Sequence, residues 1–449
     1  MTRILEGPRD WPHILLRETP TPTGASAPDP TDLDAAVRAG AFDGLKRAVR
    51  DLGPTATIAT ISEARLRGRG GAGFPAGEKW RACVEQRSQV RYVVANGYGA
   101  DPASGTDRLL LETNPYAVIE GLAIAAFAVG ATEAWLVVRA GDDAFVRRLE
   151  SAVGQASDAG FVGPDLLGSG RELTIHVATV EGAYMLGEET VLLKALEGRR
   201  GQPEQRPPYP AERGLFGRPT VVQNVATLAA VPWIVVHGAA AFAAVGSPSS
   251  PGTVLVAVRG PRGEGVAEIP LGTPLRALVD LVGGVEAGHT LKALLVGGPS
   301  GGLLPADLLD TPYDFESLRA AGAHVGSGSI VAVDERACVV DLARLLTRFC
   351  ADEACGKTIP CRIGLRRVGE IGDRITSGRS RPTDLQLLAD LAHDVAASGL
   401  CDHERLATLP FTSGMRYFGE ELDDHLVRSS CPAGVCHPIA VPAGAAARA

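Results

Sequence analysis

The chain has 449 residues, of which 45% are hydrophobic and 21% charged, a balance typical of globular proteins. Its length predicts about two to four domains rather than one. The net charge of −8 and the aromatic content of 5% provide no basic surface, which argues against nucleic acid as a partner.

Neither end of the chain predicts membrane insertion. The N-terminus, MTRILEGPRDWPHILL, is charged and interrupted by prolines, so it lacks the apolar core of a signal peptide. The most apolar segments, residues 117–131 and 225–246, are too short for a bilayer or are broken by Pro232 and His237. We therefore expect a cytoplasmic protein that reaches a membrane only through partner proteins.

The first half of the chain predicts an α/β domain. A proline-rich N-terminal extension (1–60) contains a short helix from Leu33, and residues 61–245 then alternate strands with helices. This alternation is typical of a largely parallel sheet. The predicted strands are 91–96, 134–139 and 173–180, and the predicted helices are 114–131 and one from Glu188.

The second half changes character. Residues 246–335 predict a small α+β module of short strands with one helix, and residues 336–430 predict a helical domain. Thr383 and Gln386 are spaced as a capping box for a helix that ends at Gly399. Residues 431–449 predict a coil tail.

A glycine-rich stretch, GRGGAGFPAGEKW, begins at Gly68. Glycines allow the backbone to approach a ligand, and exposed N–H groups with Lys79 suit a phosphate. The spacing of Gly68, Gly70 and Gly73 fits the dinucleotide fingerprint, but no strand precedes it and no ribose-binding acid follows. An ordinary Rossmann unit is therefore not indicated, and a flexible surface loop is the alternative.

A second stretch, GAYMLGEET, places Glu188 and Glu189 where a strand gives way to a helix. Acids in a first helical turn complement the helix dipole, so a plain helix cap is the alternative to a functional role. Tyr184 could be a core residue, and the proline-rich bend at Tyr209 could be only a tight crossover.

Seven of the eight cysteines lie after residue 337. Clustered cysteines in a cytosolic chain favour metal binding over disulfides. Cys83 and Cys338 are predicted to be core residues. The pair in CPAGVCH, Cys431 and Cys436 with His437, predicts either a zinc corner that needs another ligand or two unpaired thiols in a mobile tail.

Five stretches in one order carry a resemblance to a known family: RGRGGAGFPAGEKW, GAYMLGEET, PPYPAERGLFGRPTVVQNVATLAAVPW, LDTPYDFESLRAAGAHVGSGSIVAVDE and CGKTIPCRIG. Together they closely resemble the flavin-bearing, NADH-oxidising subunit of respiratory complex I and its relatives in NAD-linked formate dehydrogenases and hydrogenases. The resemblance runs from about residue 60 to 428. It implies a Rossmann-like FMN domain, a β-grasp-like module and a helical bundle with a [4Fe–4S] cluster.

The resemblance also implies an activity. Hydride passes between NAD(H) and FMN, and single electrons pass on to the cluster and to partner subunits, among them a thioredoxin-like iron–sulfur subunit. Flavin suits this role because it takes two electrons and releases them one at a time. The alternative is a degenerate paralogue that serves as a structural or docking subunit, with impaired NADH or cluster binding.

The matching motifs imply the site residues, with Glu188 and Glu189 as catalytic residues. Phe74 and Tyr209 are candidates to stack on nicotinamide or adenine. The residues implied to contact FMN are Gly68, Gly70, Gly71 and Lys79 at its phosphate and ribityl chain, Asn96 on the flavin side, Tyr184, Gly187, Glu188 and Glu189 along the isoalloxazine, and Val222, Asn224 and Thr227 at the phosphate end.

The sequence departs from the family after Asn96. The family typically reads Asn-Ala-Asp-Glu-Ser-Glu-Pro, whereas this chain has NGYGADP, so Tyr98 replaces an acid and only Asp101 keeps one. Gln223 stands where asparagine is usual, and Ala82 replaces an aromatic residue. We therefore expect FMN binding to be retained more readily than tight NADH binding.

The cluster motif also departs. Cys355, Cys361 and Cys401 match three of the family's four ligands, but Thr358 replaces the second cysteine. Four outcomes are open: Cys350 or a nearby acid becomes the fourth ligand, solvent or Thr358 binds the fourth iron, a [3Fe–4S] cluster forms, or no cluster forms and the thiols pack as small apolar groups.

Overall fold

The computed structural model describes residues 3–16 and 29–436, and the chain forms two compact units. Unit 1 comprises Met1–Ala257, Gly265–Thr273 and Pro312–Phe315, and unit 2 comprises Val258–Glu264, Pro274–Thr311 and Glu316–Ala449. No helix among the described residues combines the length and apolarity needed to cross a bilayer.

Unit 1 contains a four-stranded parallel sheet, which confirms the predicted α/β fold. The strand order is β3-β2-β1-β4. The chain adds β2 and β3 on one side of β1 and then returns to place β4 on the other side, so the order reverses between β1 and β4. The strands are β1 (Tyr92–Gly97), β2 (Glu133–Arg139), β3 (Thr174–Val180) and β4 (Thr220–Asn224).

The helices of unit 1 cover this sheet. The predicted helix 114–131 forms as Pro115–Val129, starts with proline at its first position and ends at Gly130 in the left-handed region. All of its residues are buried, as expected for a helix that is apolar on every side. The helices are α1 (Leu33–Arg38), α2 (Asp43–Arg47), α3 (Gly53–Glu63), α4 (Ala76–Val84), α5 (Thr106–Thr113), α6 (Pro115–Val129), α7 (Asp143–Asp158), α8 (Glu189–Leu196), α9 (Pro210–Arg213), α10 (Val225–His237) and α11 (Ala239–Ala243).

A buried carboxylate ties the N-terminal segment to unit 1. Glu268 accepts hydrogen bonds from the backbone N–H groups of Ile14 (2.7 Å), Leu15 (2.9 Å) and Leu16 (2.7 Å). The hydroxyl of Thr253 also donates to it. The strands here are β5 (Gly246–Ser247), β6 (Ser250–Pro251), β7 (Thr253–Gly260) and β8 (Gly263–Pro270), and the boundary between the units passes through the β7–β8 hairpin.

Beyond this hairpin the chain forms short strands and two short helices. The central strand pairs antiparallel with a strand on each side, so that Val296 is opposite both Gly302 and Ile330. The sequence predicted a single helix here, but a second forms at Phe315–Ala321. The elements are α12 (Leu275–Leu281), β9 (Leu291–Val296), β10 (Gly302–Pro305), α13 (Phe315–Ala321) and β11 (Ser329–Asp334).

The remainder of unit 2 is a helical bundle, as predicted, but the predicted capping box is wrong. Thr383 has helical backbone angles and makes no side-chain cap bond. Asp384 instead accepts from the N–H of Arg381 (2.9 Å) and from Nε of Arg374 (3.0 Å). The helices are α14 (Val339–Asp352), α15 (Leu365–Thr376), α16 (Asp384–Ala397), α17 (Asp402–Leu406), α18 (Leu409–Tyr417) and α19 (Gly419–Val427).

We predict that Glu268→Ala destabilises unit 1 and releases its N-terminal segment. The change leaves three backbone N–H groups without an acceptor, and each such group costs about 1–3 kcal/mol when it remains buried. Urea unfolding will show the loss of stability, and limited proteolysis will show faster cleavage near residue 16. Glu264→Ala, which removes an exposed partner of Arg259, is the control and should change stability by less than about 0.5 kcal/mol. Equal proteolysis of both variants would contradict the anchoring role.

Candidate functional site

The glycine-rich loop connects α3 to α4, so it does not follow a strand, as the sequence indicated. Its ends are closed by a hydrogen bond from the N–H of Gly68 to the carbonyl of Phe74 (2.9 Å). Gly73 has a φ of 65°, and a Cβ there would lie 2.7 Å from the ring of Phe315. Only glycine therefore permits this loop conformation.

Arg69 fixes the loop from within unit 1. Its buried guanidinium donates to the carbonyls of Thr253 (2.9 Å) and Pro251 (2.6 Å), and burial lowers its pKa to about 9. Its backbone N–H donates to the hydroxyl of Thr227 (2.8 Å), in the first turn of α10. The sequence did not predict the role of Arg69. Its partners lie about 160 to 180 residues away in the chain, and local sequence patterns do not reveal contacts at that distance.

The switch point between β1 and β4 carries two asparagines. Asn96 and Asn224 are register partners at the carboxyl ends of the two strands. Asn224 caps α10 by accepting from the N–H of Ala226 (2.8 Å) and donates to both carboxylate oxygens of Asp107 (2.9 and 3.0 Å). Burial raises the pKa of Asp107 to about 6, although the bonds from Asn224 act in the opposite direction.

The glycine-rich loop lies against this edge of the sheet. A Cβ added at Gly70 would approach the Cβ of Asn224 to 3.3 Å, so the loop backbone sits directly over the end of β4. In open α/β sheets, ligands bind outside the carboxyl ends of the strands at such a switch point. The N-terminus of α10 opens at the same place and favours an anionic group.

The two glutamates stand on the other side of β1. Asn96 donates to the carbonyl of Gly187 (3.1 Å), which ends the short 3₁₀ turn Tyr184–Gly187. Glu188 caps α8 by accepting from the N–H groups of Thr190 and Val191, both at 2.9 Å. The capping role weighed for this residue is therefore present, and a contact with Arg206 adds to it.

Glu189 joins the two predicted halves of the site. Lys79 Nζ lies 2.7 Å from its carboxylate and also donates to the carbonyl of Val222 (3.0 Å). Arg206 lies 3.4 Å from the other oxygen of Glu189. Burial alone would raise the pKa of Glu189, but the charges of Lys79 and Arg206 outweigh it and hold that pKa below its usual value. The predicted convergence of the glycine-rich loop and the glutamate pair is confirmed.

The edge also carries groups that fit an anionic, aromatic ligand such as a flavin nucleotide. Gln223 is 4% exposed, and within residues 29–436 its amide nitrogen finds no hydrogen-bond partner. Buried donors are normally satisfied, so this amide is an exception within β4. Phe74 and Tyr209 are large aromatic side chains, yet they are 51% and 53% exposed.

Tyr98, which replaces an acid of the family motif, is buried. Its hydroxyl donates to the carbonyl of Gly182, and the guanidinium of Arg139 lies 4.6 Å from its ring centroid. Tyr98 therefore fastens the end of β1 to the segment after β3 by packing and a hydrogen bond. It brings no negative charge to the position where relatives have one.

The thiols that match the cluster motif are neighbours in unit 2. Cys361 lies in a single π-helical turn, Pro360–Gly364, and burial raises its pKa to about 12, with further contributions from Glu404, Cys401 and Cys355. Cys350 packs in the same buried cluster as Cys361. The sulfur of Cys350 is directed at the carbonyl of Pro299 (3.7 Å).

Thr358 has an acidic partner. Its hydroxyl donates to the buried carboxylate of Glu404 (2.7 Å), and the other oxygen of Glu404 accepts from the N–H of Leu400 (2.8 Å). Glu404 stands three residues after Cys401, so the missing cysteine faces a carboxylate. Sequence reasoning foresaw a nearby acid as a possible ligand but did not identify Glu404.

A parallel sheet with a glycine-rich loop at its switch point, followed by a cysteine-bearing helical bundle, fits the class of flavin- and iron–sulfur-binding oxidoreductase subunits. Comparison with known proteins agrees. Residues 61–233 match the Nuo51 FMN-binding domain, and residues 341–425 match the NADH-ubiquinone oxidoreductase-F iron-sulfur binding region. The chain belongs to the family of FMN-binding subunits of NADH-quinone oxidoreductases.

Individual relatives support this membership. The chain is 40% identical to the corresponding NADH-quinone oxidoreductase subunit of Streptomyces coelicolor over 89% of each chain. It is 38% identical to the NADP-reducing hydrogenase subunit HndC of Solidesulfovibrio fructosivorans, over 91% of this chain and 83% of that one. A crystal structure of an NAD⁺-reducing [NiFe]-hydrogenase matches with a TM-score of 0.78 and 34% identity, over 89% of this chain and 67% of the other.

We predict that Arg206→Met lowers the melting temperature in a pH-dependent way. The pKa of Glu189 is held below its ordinary value of 4.5, so its ionised form stabilises the fold above that pH, and the contribution is lost as the pH falls. The variant should melt roughly 3 °C below wild type at pH 7, and the gap should narrow at pH 4. Differential scanning calorimetry across this range measures both values.

The control for this experiment is Arg199→Met. Arg199 pairs with Glu197 on the surface, and its side chain is 61% exposed against 29% for Arg206. Exposed pairs contribute little, so this variant should melt within about 1 °C of wild type at every pH. If the difference in melting temperature between Arg206→Met and wild type were constant with pH, the charge of Arg206 would not stabilise the ionised form of Glu189.

Proposed function

We propose that the chain is the electron-entry subunit of a complex-I-like oxidoreductase, in which hydride transfer between NAD(H) and FMN feeds single electrons to an iron–sulfur centre. The observation that carries the proposal is the ion pair between Lys79 and Glu189 at the edge formed by β1 and β4. It brings a phosphate-binding loop and a carboxylate pair to one crevice of unit 1. FMN would supply the chemistry, since it accepts two electrons together and releases them singly.

The residues of the crevice divide the work of binding FMN. Gly68, Gly70 and Gly71 offer closely approaching backbone with Lys79 beside it, Val222 and Asn224 lie in β4, and Thr227 lies in the first turn of α10. These groups would hold the phosphate end of FMN. Tyr184, Gly187, Asn96 and the carboxylates of Glu188 and Glu189 would line the isoalloxazine ring. Glu188 pairs with Arg206 and Glu189 pairs with Lys79, and carboxylates held in this way would position the ring for hydride transfer.

The proposed binding of NAD(H) depends on two exposed aromatic side chains. Phe74 and Tyr209 stack on the nicotinamide or adenine ring, because aromatic faces bind flat rings with little ordering of their own. Tyr98 makes this half of the site differ from its relatives. Its hydroxyl donates to the carbonyl of Gly182, and its ring lies against the guanidinium of Arg139. A tyrosine offers no carboxylate to a ribose, so NADH affinity is lower than in family members with the acid.

The iron–sulfur centre of unit 2 is held by Cys355, Cys361 and Cys401, with Glu404 as its fourth ligand. Glu404 is the acid that faces the position of the missing cysteine, through its contact with Thr358. A carboxylate is a poorer ligand for a cluster than a thiolate but is a competent oxygen donor for iron. Cys350 is the less suitable fourth ligand because its sulfur is buried against the carbonyl of Pro299.

The protein passes its electrons to partners. Its relatives are named as subunits of an NADH-quinone oxidoreductase and of an NADP-reducing hydrogenase, which are assemblies of several chains. A thioredoxin-like iron–sulfur protein is the expected acceptor, and any attachment to a membrane runs through such partners. The protein itself works in the cytoplasm.

We predict that the purified protein contains FMN and that NADH bleaches its flavin absorbance under anaerobic conditions. Lys79→Met should bind FMN about 10- to 100-fold more weakly, the loss expected for one charged hydrogen bond. FMN content and a fluorescence titration of the apoprotein with FMN measure this effect. Lys46→Met, which removes a surface pair with Asp43, is the control and should bind FMN like wild type.

The same measurement separates the main proposal from the alternative. A docking subunit with impaired NADH binding would hold FMN without bleaching on addition of NADH, while dithionite would still reduce it. Absence of flavin after reconstitution with excess FMN would overturn the assignment of the crevice.

We predict that Glu404→Ala lowers the iron content of anaerobically purified protein and that adding Thr358→Cys restores it. The double variant supplies a thiolate where the carboxylate ligand was lost, so it should reach or exceed the iron content of wild type. Iron analysis and electron paramagnetic resonance of the reduced protein provide the readout.

Thr376→Cys in the Glu404→Ala background is the matched control. Thr376 is a half-buried threonine of α15 that bonds its own helix through the carbonyl of Gly372 (3.0 Å). A thiol there should leave the iron content low. Full iron content in Glu404→Ala alone would show that Glu404 is not a ligand.

A further inference from the structure

Four side chains of unit 2 form a second group of potential metal ligands. They are Cys338, His425, Cys431 and Cys436, and their ligand atoms all lie within 4.8 Å of one another. Within residues 3–16 and 29–436, no other cluster of three or more cysteines, histidines or acids meets this distance. None of the four belongs to the cysteines that match the cluster motif.

The sequence predicted these residues only in part. Cys338 was expected to be a core thiol, and it is buried, but it faces His425 and Cys436 rather than apolar neighbours alone. Cys431 and Cys436 were expected to form a zinc corner that needed another ligand, or to be unpaired in a mobile tail. They pack against the helical core, and His437 lies outside the described residues.

The distances fit one tetrahedral ion. The sulfurs of Cys338 and Cys436 are 3.6 Å apart, and Cys338 Sγ is 3.4 Å from His425 Nε2. Zinc bonds of about 2.3 Å to sulfur and 2.0–2.1 Å to nitrogen place tetrahedral ligand atoms about 3.8 and 3.6 Å apart. A disulfide would need about 2.05 Å between sulfurs. A cubane cluster would spread its ligands over four irons, farther apart than these atoms.

A hydrogen bond at the other ring nitrogen orients His425 for metal binding. His425 Nδ1 lies 2.8 Å from the carbonyl of Glu421 in the same helix, α19. Because a backbone carbonyl can only accept, Nδ1 carries the proton, and the lone pair of Nε2 points to the thiols. This is the arrangement found in protein zinc sites, where the second ring nitrogen fixes the tautomer.

Backbone donors surround two of the sulfurs. Cys338 is the N-cap of α14, and its sulfur accepts from the N–H of Asp341 (3.4 Å). The sulfur of Cys431 accepts backbone hydrogen bonds from the N–H groups of Val435 and Cys436. Gly434, with a φ of 69°, permits the turn that directs these N–H groups at the sulfur.

From this geometry we propose that Cys338, His425, Cys431 and Cys436 bind one structural zinc ion. Three thiolates and one imidazole fill all four positions, so the ion has no open position for substrate. It joins the start of α14 to the end of α19 and to the loop that follows it. Three thiolates on Zn²⁺ leave one negative charge at the site.

The test measures zinc and iron on the full-length protein, purified anaerobically after growth in medium supplied with both metals. Wild type should hold about one zinc per chain that survives gel filtration. Cys431→Ser and Cys436→Ser should each lose at least nine-tenths of it while keeping FMN and iron. Substitution by cobalt should give the visible absorption of a tetrahedral, thiolate-rich site in wild type and not in the variants.

Two variants keep the result specific. Cys83→Ala changes a buried thiol of unit 1 outside the group, and Cys355→Ser changes a ligand assigned to the iron centre, so both should retain zinc. Should the serine variants fail to fold, zinc release from wild type by a mercurial reagent, with iron counted in parallel, decides the matter. Wild type without bound zinc, zinc retained in Cys431→Ser and Cys436→Ser, or a disulfide between these cysteines in the purified protein would each overturn the proposal.

Discussion

The reversal of strand order between β1 and β4 is the constraint on which the proposed flavin site depends. It places Asn96 and Asn224 side by side at the carboxyl edge of the sheet. Each asparagine then holds one half of the site, since Asn96 bonds the turn that carries the glutamates and Asn224 abuts the glycine-rich loop. If the strand order did not reverse, no crevice would form at this edge, and the glycine-rich loop and the glutamates would not lie next to each other.

Positive side chains compensate the charges of the two glutamates that the sheet topology brings to this edge. Glu188 and Glu189 are adjacent carboxylates in a half-buried place, where two like charges would repel each other and lose hydration. Lys79 approaches from the loop and Arg206 from the proline-rich bend, so each glutamate has a cation. Each carboxylate is therefore compensated by a neighbouring positive charge.

Local sequence patterns predicted the strands and helices well, but they predicted the side-chain contacts between distant residues poorly. Hydrophobic runs placed β1, β2, β3 and the buried helix α6 within a residue or two of their observed bounds. Burial leaves a continuous apolar signature in β1 and α6, whereas β3 is only partly buried. Two local choices went wrong: Asp384, not Thr383, bonds at the start of α16, and the helix at Phe315–Ala321 went unrecognised. The predicted site residues came from the family motif. Arg69, Arg206 and Glu404 were not identified, because what defines their roles is contact with residues distant in sequence or in a different loop.

The N-terminal unit is not a contiguous stretch of chain, and this has a consequence for how the protein matures. Ile14 is held by Glu268, and Gly73 packs on Phe315, so its first and most glycine-rich portions wait for residues made much later. Translation proceeds from the N-terminus and domains close as their parts emerge. The glycine-rich loop therefore acquires its packing against Phe315 only when more than two thirds of the polypeptide has been synthesised.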